Sequence, residues 1–579
     1  VVRHVTCGAH APDAVVPAAP PPSSGGSDVR CRLHPPTPRR AGVDGRCPRA
    51  ADRLRQDHRG RRRLRRLRQR RRGGGGGTIT VGTTDKVTAL DPAAAYDNGS
   101  STVWTQCYSY LLNTSIGSED GRPEPDLAET AEFTSDTVFT VTLQEGLTFA
   151  NGNDLTTEDV KHTFDRQLAI ADPNGPSSLL GNLEKVEIVD DLTVEFHLKE
   201  PNDQTFPYVL TSPVGPIVDS EVFPADSTLA DNEIVDAEAF SGPYKITSWK
   251  INELVTYEAF PEYKGLFGTP ATSSVVMSYY ADQNNMKLDI QQGNIDCVWR
   301  SLSATDIADL QEDDAVAVHD GPGGEIRYIV FNFHTNPYGE ETADADPDKA
   351  RAVRQAVADL LDREAISDSV YNGTYTPLYS YIPEGLPGSG SQFQDLYGDG
   401  SGGPDPDRAR TRLEDAGVEI PVQLSLQYNP DHYGNSSGDE YAAVKNQLEA
   451  DGLFEVDLKS TEWVQYSKDR VDDVYPAYQL GWFPDYSDAD NYLSPFFATE
   501  NFLANHFTNE EVDELIAKQR GTQDEAEREA LFVQIQDLVA EEISTLPLLQ
   551  GAQIAVSTAE IEGVTLDSSF KFRISPISK

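Results

Sequence analysis

Few side chains in this 579-residue chain could do chemistry, and their spacing decides what they could do. Gly434-Asn435-Ser436-Ser437-Gly438 has the G-x-S-x-G form of a serine-hydrolase nucleophile turn and lies between a strand pattern and a helix pattern. That turn works only when the serine sits on a sharp elbow directly between the two elements. Here Asn429-Pro430-Asp431-His432-Tyr433 lengthens the connection, so the segment reads as an open polar loop with a helix cap. A secreted hydrolase using Ser436 is kept as the remote alternative, and an enzyme is not the expectation. The histidines from residue 78 onward (His162, His197, His319, His334, His432 and His506) show no paired ligand spacing. No metal and no cofactor are expected. Gly73–Gly77 lacks the Gly-Lys-Ser/Thr ending of a phosphate loop and reads as a flexible linker.

Charge divides the chain in two. Residues 1–72 hold 19 Arg, five Asp and no Lys or Glu, a net of +14, against a formal −46 for the whole. Residues 73–579 therefore carry −60, which repels polyanions and argues against a nucleic-acid partner or an anionic membrane surface. The basic head is rich in Arg, Pro, Ala and Gly, as GC-rich DNA read in a wrong frame would be. It is expected to be a mis-translated or disordered segment, with a basic arm for nucleic acid or membrane as the alternative. Cys107 and Cys297 are the only cysteines beyond the head. One disulfide in an exported protein and two buried thiols are both open. No run approaches the roughly 18 to 20 apolar residues of a membrane helix.

The elements that would position any site are legible from residue 78 onward. Thr78–Gly82 reads as a short strand, and Phe139, Val141 and Leu143, like Leu192, Val194, Phe196 and Leu198, alternate with period two. Thr156 to Asp159 caps a helix carrying Val160, Phe164 and Leu168. Further strands are expected at Tyr244–Trp249, at Ile326–Phe333 with both faces covered, and at Val422 to Tyr428. Helices are expected over Asp348–Leu361, from Pro406 after the cap Asp405 to Gly417, from a Thr508–Glu511 capping box, and through Leu531, Ile535 and Leu538. Strands interleaved with helices indicate α/β domains with mixed sheets.

Several segments in order resemble one family. They are Pro125-Asp126-Leu127-Ala128-Glu129; Phe139 to Phe149 running into Asn151-Gly152 and Thr157-Glu158-Asp159-Val160; Ser241-Gly242-Pro243-Tyr244-Lys245; Arg351 to Val357 leading to Asp362-Arg363-Glu364; Asp407-Arg408-Ala409-Arg410; and Gly481-Trp482-Phe483-Pro484-Asp485-Tyr486. Together they are similar to the extracellular solute-binding proteins of peptide and nickel ABC importers, family 5 or cluster C. The resemblance implies a type II periplasmic-binding-protein-like α/β fold: two hinged lobes with mixed sheets plus an extra domain. It places domain I at 78–120, 241–320 and 546–579, domain II (the extra domain) at 121–240, and domain III (the second lobe) at 321–545.

The resemblance also implies a monomeric receptor that takes a peptide and delivers it to an ABC permease, and through it to ATPase subunits. An oligosaccharide, opine or metal chelate is the alternative ligand. Such a protein is exported, lipid-anchored at the outer face of the membrane or periplasmic. Its implied ligand-binding residues are Asp485, Trp482, Gly481, Phe483, Tyr486, Asn332 and Asp85, with Asp485 pairing with the peptide's ammonium. Some peptide-specific relatives carry an arginine three residues before the tryptophan. This chain has Gln479, so ligand length and recognition of its carboxylate stay open.

Overall fold

The computed structural model describes residues 77–579 apart from 301, 431, 435, 500 and the side chain of 464. The expectations for the basic head, and nearly all of the linker, lie outside the described residues.

An 11-stranded mixed sheet carries the fold. Its spatial order is Phe454–Ser460, Val422–Tyr428, Ala477–Trp482, Val316–Phe331, Thr545–Thr558, Cys297–Trp299, Ile79–Thr83, Ser274–Tyr279, Leu254–Ala259 and Tyr244–Lys250, with Tyr375–Pro377 added beside Thr545–Thr558. Ile79–Thr83 is parallel to both its neighbours, as is Val422–Tyr428; the remaining pairs are antiparallel. Parallel neighbours need a crossover. Helix Ser437–Glu449 supplies one between Val422–Tyr428 and Phe454–Ser460.

Two long strands, Val316–Phe331 and Thr545–Thr558, run through the middle. They pair from Val316↔Thr558 to Gly321↔Gln553, lose register, and resume at Glu325↔Gly551. Three residues thus oppose one, a bulge that bends the pair. Gly323 permits it, since a Cβ there would lie 1.4 Å from the Gly551 carbonyl oxygen. The strands on the two sides of this break belong to different cores. One gathers Ile326, Val353, Leu424 and Leu480; the other gathers Val81, Trp104, Tyr257 and Ile574.

A separate four-stranded antiparallel sheet runs Ala128–Ser135, Val138–Leu143, Thr193–Leu198, Leu183–Ile188. Burial alternates along its central strands, as period-two patterning demands. Helix Thr157–Ile170 covers one face, setting Phe164 edge-on to Phe196 at 5.0 Å. It starts in a capping box, Thr156 with Asp159, which satisfies two otherwise orphaned N–H groups. Arg166 on this helix makes a two-pronged pair with Asp91 at 2.8 and 2.6 Å, fully inside the protein. That pair ties the small sheet's helix to the loop after Ile79–Thr83.

Two expectations are corrected, and one alternative left open is decided. The Ile326–Phe333 strand begins ten residues earlier, because the Gly-rich bulge interrupts its apolar pattern without ending it. Asn509, not Thr508, caps helix Glu510–Arg520, accepting from the N–H groups of Glu511 and Val512. Cys107 and Cys297 are free and buried in one core, where burial pushes the Cys297 thiol up to about 12. Among the described residues no helix is long and apolar enough to cross a membrane.

Candidate functional site

Ligands of open α/β sheets settle outside the carboxyl ends of parallel strands. Four such ends meet here. Thr84 and Asp85 follow Ile79–Thr83, Arg300 follows Cys297–Trp299, His432, Tyr433, Gly434 and Ser436 follow Val422–Tyr428, and Phe483 follows Ala477–Trp482. With Glu325 and Arg327, just past the bulge of the crossing strand, they line a cavity of about 390 Å³. Its wall is made by strand ends from both sides of the register break, with Tyr371, Tyr375 and Tyr433 supplied from the core around Ile326.

The charges in this wall are of two kinds. Arg327 is neutralised: Glu325 lies 2.5 Å away, Nη2 donates to the Tyr433 carbonyl at 2.7 Å, and the rings of Tyr433 and Tyr375 flank the guanidinium at 4.9 and 5.6 Å. Tyr375 donates to Glu325 at 2.9 Å. Behind it, burial pushes the Glu440 carboxyl up, opposed by the Arg327 charge and a 2.8 Å hydrogen bond from Tyr371. Arg300 has no such neutralisation. Its guanidinium stacks on Phe483 at 4.8 Å and makes no ion pair among the described residues. Asp85 likewise keeps a buried Oδ2 with no hydrogen-bond partner among them.

Of the seven residues implied by the resemblance, Asp85 and Phe483 line the cavity. Asp485 lies two residues beyond Phe483 and is half-buried. Its Oδ1 accepts from the hydroxyl of Tyr96, which lies between strand Ile79–Thr83 and helix Asn98–Cys107, and its Oδ2 accepts from Asn491 Nδ2 at 3.1 Å. Burial pushes its carboxyl above the usual aspartate range, against the pull of these two hydrogen bonds. Trp482 does not line the cavity; it packs edge-on against Phe496 and Phe502 at 5.3 and 5.5 Å and donates to Asn491 at 3.0 Å.

Gly481 is buried beneath the cavity wall, where a Cβ would meet the Tyr433 ring at 2.9 Å, so its smallness lets that ring reach the lining. Tyr486 faces the core of the four-stranded sheet and Tyr208. Asn332 is fully buried near the far end of the crossing strand, donating to Asp473 at 2.6 Å. Gln479 is tied into the core, accepting from Asn429 N at 2.9 Å and donating to Ser437 at 3.1 Å.

Arg300 and Tyr96 were not anticipated. A charged residue directly after an apolar strand, Cys297-Val298-Trp299-Arg300, was the available signal for the first; nothing local marks the second. Ser436 lines the cavity, yet its backbone (φ −77°, ψ −11°) is relaxed and helical. A strained nucleophile elbow is therefore absent at that serine.

The family model for "Bacterial extracellular solute-binding proteins, family 5 Middle" matches residues 122–503. The glutathione-binding protein GsiB of Shigella dysenteriae serotype 1 is 25% identical over 511 residues, covering 85% of this chain and 93% of its own length. The dipeptide-binding protein DppE of Bacillus subtilis is 24% identical over 515 residues, covering 84% and 88%. The crystal structure of the substrate-binding protein CtaP of Listeria monocytogenes matches with a TM-score of 0.74 at 23% identity, covering 87% of this chain and 99% of that one. The fold is that of type II periplasmic binding proteins.

Proposed function

Since the chain belongs to the bacterial extracellular solute-binding proteins of family 5, the binding subunits of ABC importers, we propose that it captures a short peptide between its lobes and delivers it to a membrane permease. The observation that carries this reading is a pair of opposite charges, Asp85 and Arg300, that have no ion-pair partner among the described residues and share one cavity of about 390 Å³. A buried charge is tolerated when a counter-charge and hydrogen bonds meet it, and a zwitterion supplies both signs. That volume falls near the lower end of ligand pockets, roughly 300 to 1,000 Å³, and suits a ligand of a few residues. GsiB is named for glutathione and DppE for dipeptides, and that small-peptide chemistry is the class carried over here.

In this reading Asp485 receives the ammonium, which displaces the Tyr96 hydroxyl. Arg300, held flat by Phe483, receives the carboxylate. Asp85 Oδ2 accepts from the same ammonium, so that the zwitterion meets both unpaired charges of the cavity. The bulge at Gly321–Gly324 is the hinge, and closure of the lobes presents the surface the permease reads. The domain organisation in this reading is domain I at 78–120, 241–320 and 546–579, domain II at 121–240 and domain III at 321–545. The protein works as a monomer outside the cytoplasm, tethered by lipid or free in the periplasm, with ATP hydrolysed on a separate subunit.

The test is mass spectrometry of small molecules that co-purify, followed by a thermal-shift screen of peptides, sugars and opines. Stabilisation by peptides of two to four residues is expected. Stabilisation by sugars but by no peptide would overturn the assignment.

A further inference from the structure

A second constellation lies beyond the far end of the crossing strand, roughly 17 Å from Arg327 at 3.3 Å per residue. Three loops converge there on His334, Asp473 and His506, whose ligand atoms all lie within 4.8 Å of one another. We propose that these three side chains form a binding site for a divalent transition metal of the zinc class, separate from the ligand cavity.

Two imidazoles and a carboxylate are a donor set that Zn²⁺ favours, and alkaline-earth ions, which want oxygen alone, do not. His506 Nε2 is 2.6 Å from Asp473 Oδ1, and His334 Nδ1 is 4.0 Å from Asp473 Oδ2. Glu341 and Glu340 stand 3.7 and 3.8 Å from the two nitrogens of His334, within reach as a fourth ligand. Among the described residues, every ion pair these three acids make is to one of the two histidines. Among the described residues no lysine or arginine pairs with these acids.

The supporting shell is present as well. Asn332 donates to Asp473 at 2.6 Å while its own Oδ1 accepts from the N–H groups of His334 and Thr335 at 2.9 and 3.1 Å. One buried amide thus orients two ligands, the function of outer-shell partners in metal sites. The imidazoles stack at 3.6 Å with planes 6° apart. Parallel rings cannot both aim a lone pair at one ion, so binding requires one ring to turn about its Cβ–Cγ bond, a broad and soft torsion. The cluster Glu187, Glu195 and His197 is a useful contrast, because it offers one imidazole and Lys185 already pairs with Glu187 at 2.6 Å.

The experiment titrates EDTA-treated full-length protein with zinc chloride by calorimetry. Measurements cover the wild type and the variants His334→Ala, His506→Ala and His197→Ala, with thermal melting recorded in parallel. The site predicts that His334→Ala and His506→Ala each bind one equivalent fewer, or bind it more weakly by at least the roughly 10- to 100-fold of a lost outer-shell partner. His197→Ala should match the wild type, and zinc should raise the melting temperature of those two proteins only. If an alanine variant does not melt cooperatively, His506→Gln replaces it. Equal equivalents at equal affinity in the wild type and both His334 and His506 variants would overturn the proposal, as would no zinc uptake at all.

Discussion

Replacing Asp485 by Asn removes one charge and leaves the local shape intact, because the amide can keep hydrogen bonds to both Tyr96 and Asn491. The loss can be sized from the site. An ammonium about 3 Å from a half-buried carboxylate gains about 5 kcal/mol at an effective dielectric near 20. Part of this is offset because a neutral amide needs no counter-charge, leaving the roughly 2–5 kcal/mol found when one member of a buried charge pair is truncated. That corresponds to about 30-fold to several thousand-fold in Kd.

Calorimetry with the co-purifying peptide checks this, with circular dichroism to show that the fold is kept. An N-acetylated form of the same peptide should lose the same amount against wild type and bind the Asn variant no worse than the free amine does. The pH dependence follows with a definite sign. Burial raises the free carboxyl's pKa and a bound ammonium would lower it. Affinity is therefore full above the raised value and falls as pH drops through it, starting above the ordinary aspartate value of about 3.9. Asp485→Asn should be flat in that window. Unchanged affinity in the variant, or a variant that still prefers the free amine, would remove Asp485 from the site.

Arg300→Gln should weaken the free peptide by at least about 1.5–3 kcal/mol, the contribution of a hydrogen bond to a charged group, and affect a C-terminally amidated peptide far less; equal losses by calorimetry would refute the assignment. Asp91→Ala leaves Arg166 buried and unpaired and should lower stability by about 3–5 kcal/mol in denaturant unfolding, with less than 1 kcal/mol contradicting the role given to the pair. Gly323→Ala forces a Cβ onto the Gly551 carbonyl and should destabilise by about 1–3 kcal/mol or more; small-angle scattering should show a changed ligand-induced compaction, and an unaffected closure would move the hinge elsewhere.

The parts of the fold readable in sequence are those governed by near neighbours. Phe139, Val141 and Leu143 must point one way because successive side chains of a strand alternate, and Asp405 before Pro406 must cap because both act within one turn. The long strand Thr545–Thr558 was not anticipated, since Pro547 and Gly551 break its pattern while its partners lie more than 170 residues away. Trp482 and Tyr486 show the same limit. An aromatic in a binding segment fits a ligand wall and a core equally well until its neighbours, Phe496 and Phe502 or Tyr208, are known.

Order along the chain was thus enough for fold class, for the family resemblance, and for the segment that ends at Asp485, because each depends on short runs of residue types. Tertiary structure alone decided which charges stay unpaired. Arg300 on Phe483, Tyr96 on Asp485 and His334 on His506 join residues 172 to 389 positions apart. Whether a charge is free or neutralised depends on distances across the fold, and those arise only when distant strands are laid side by side.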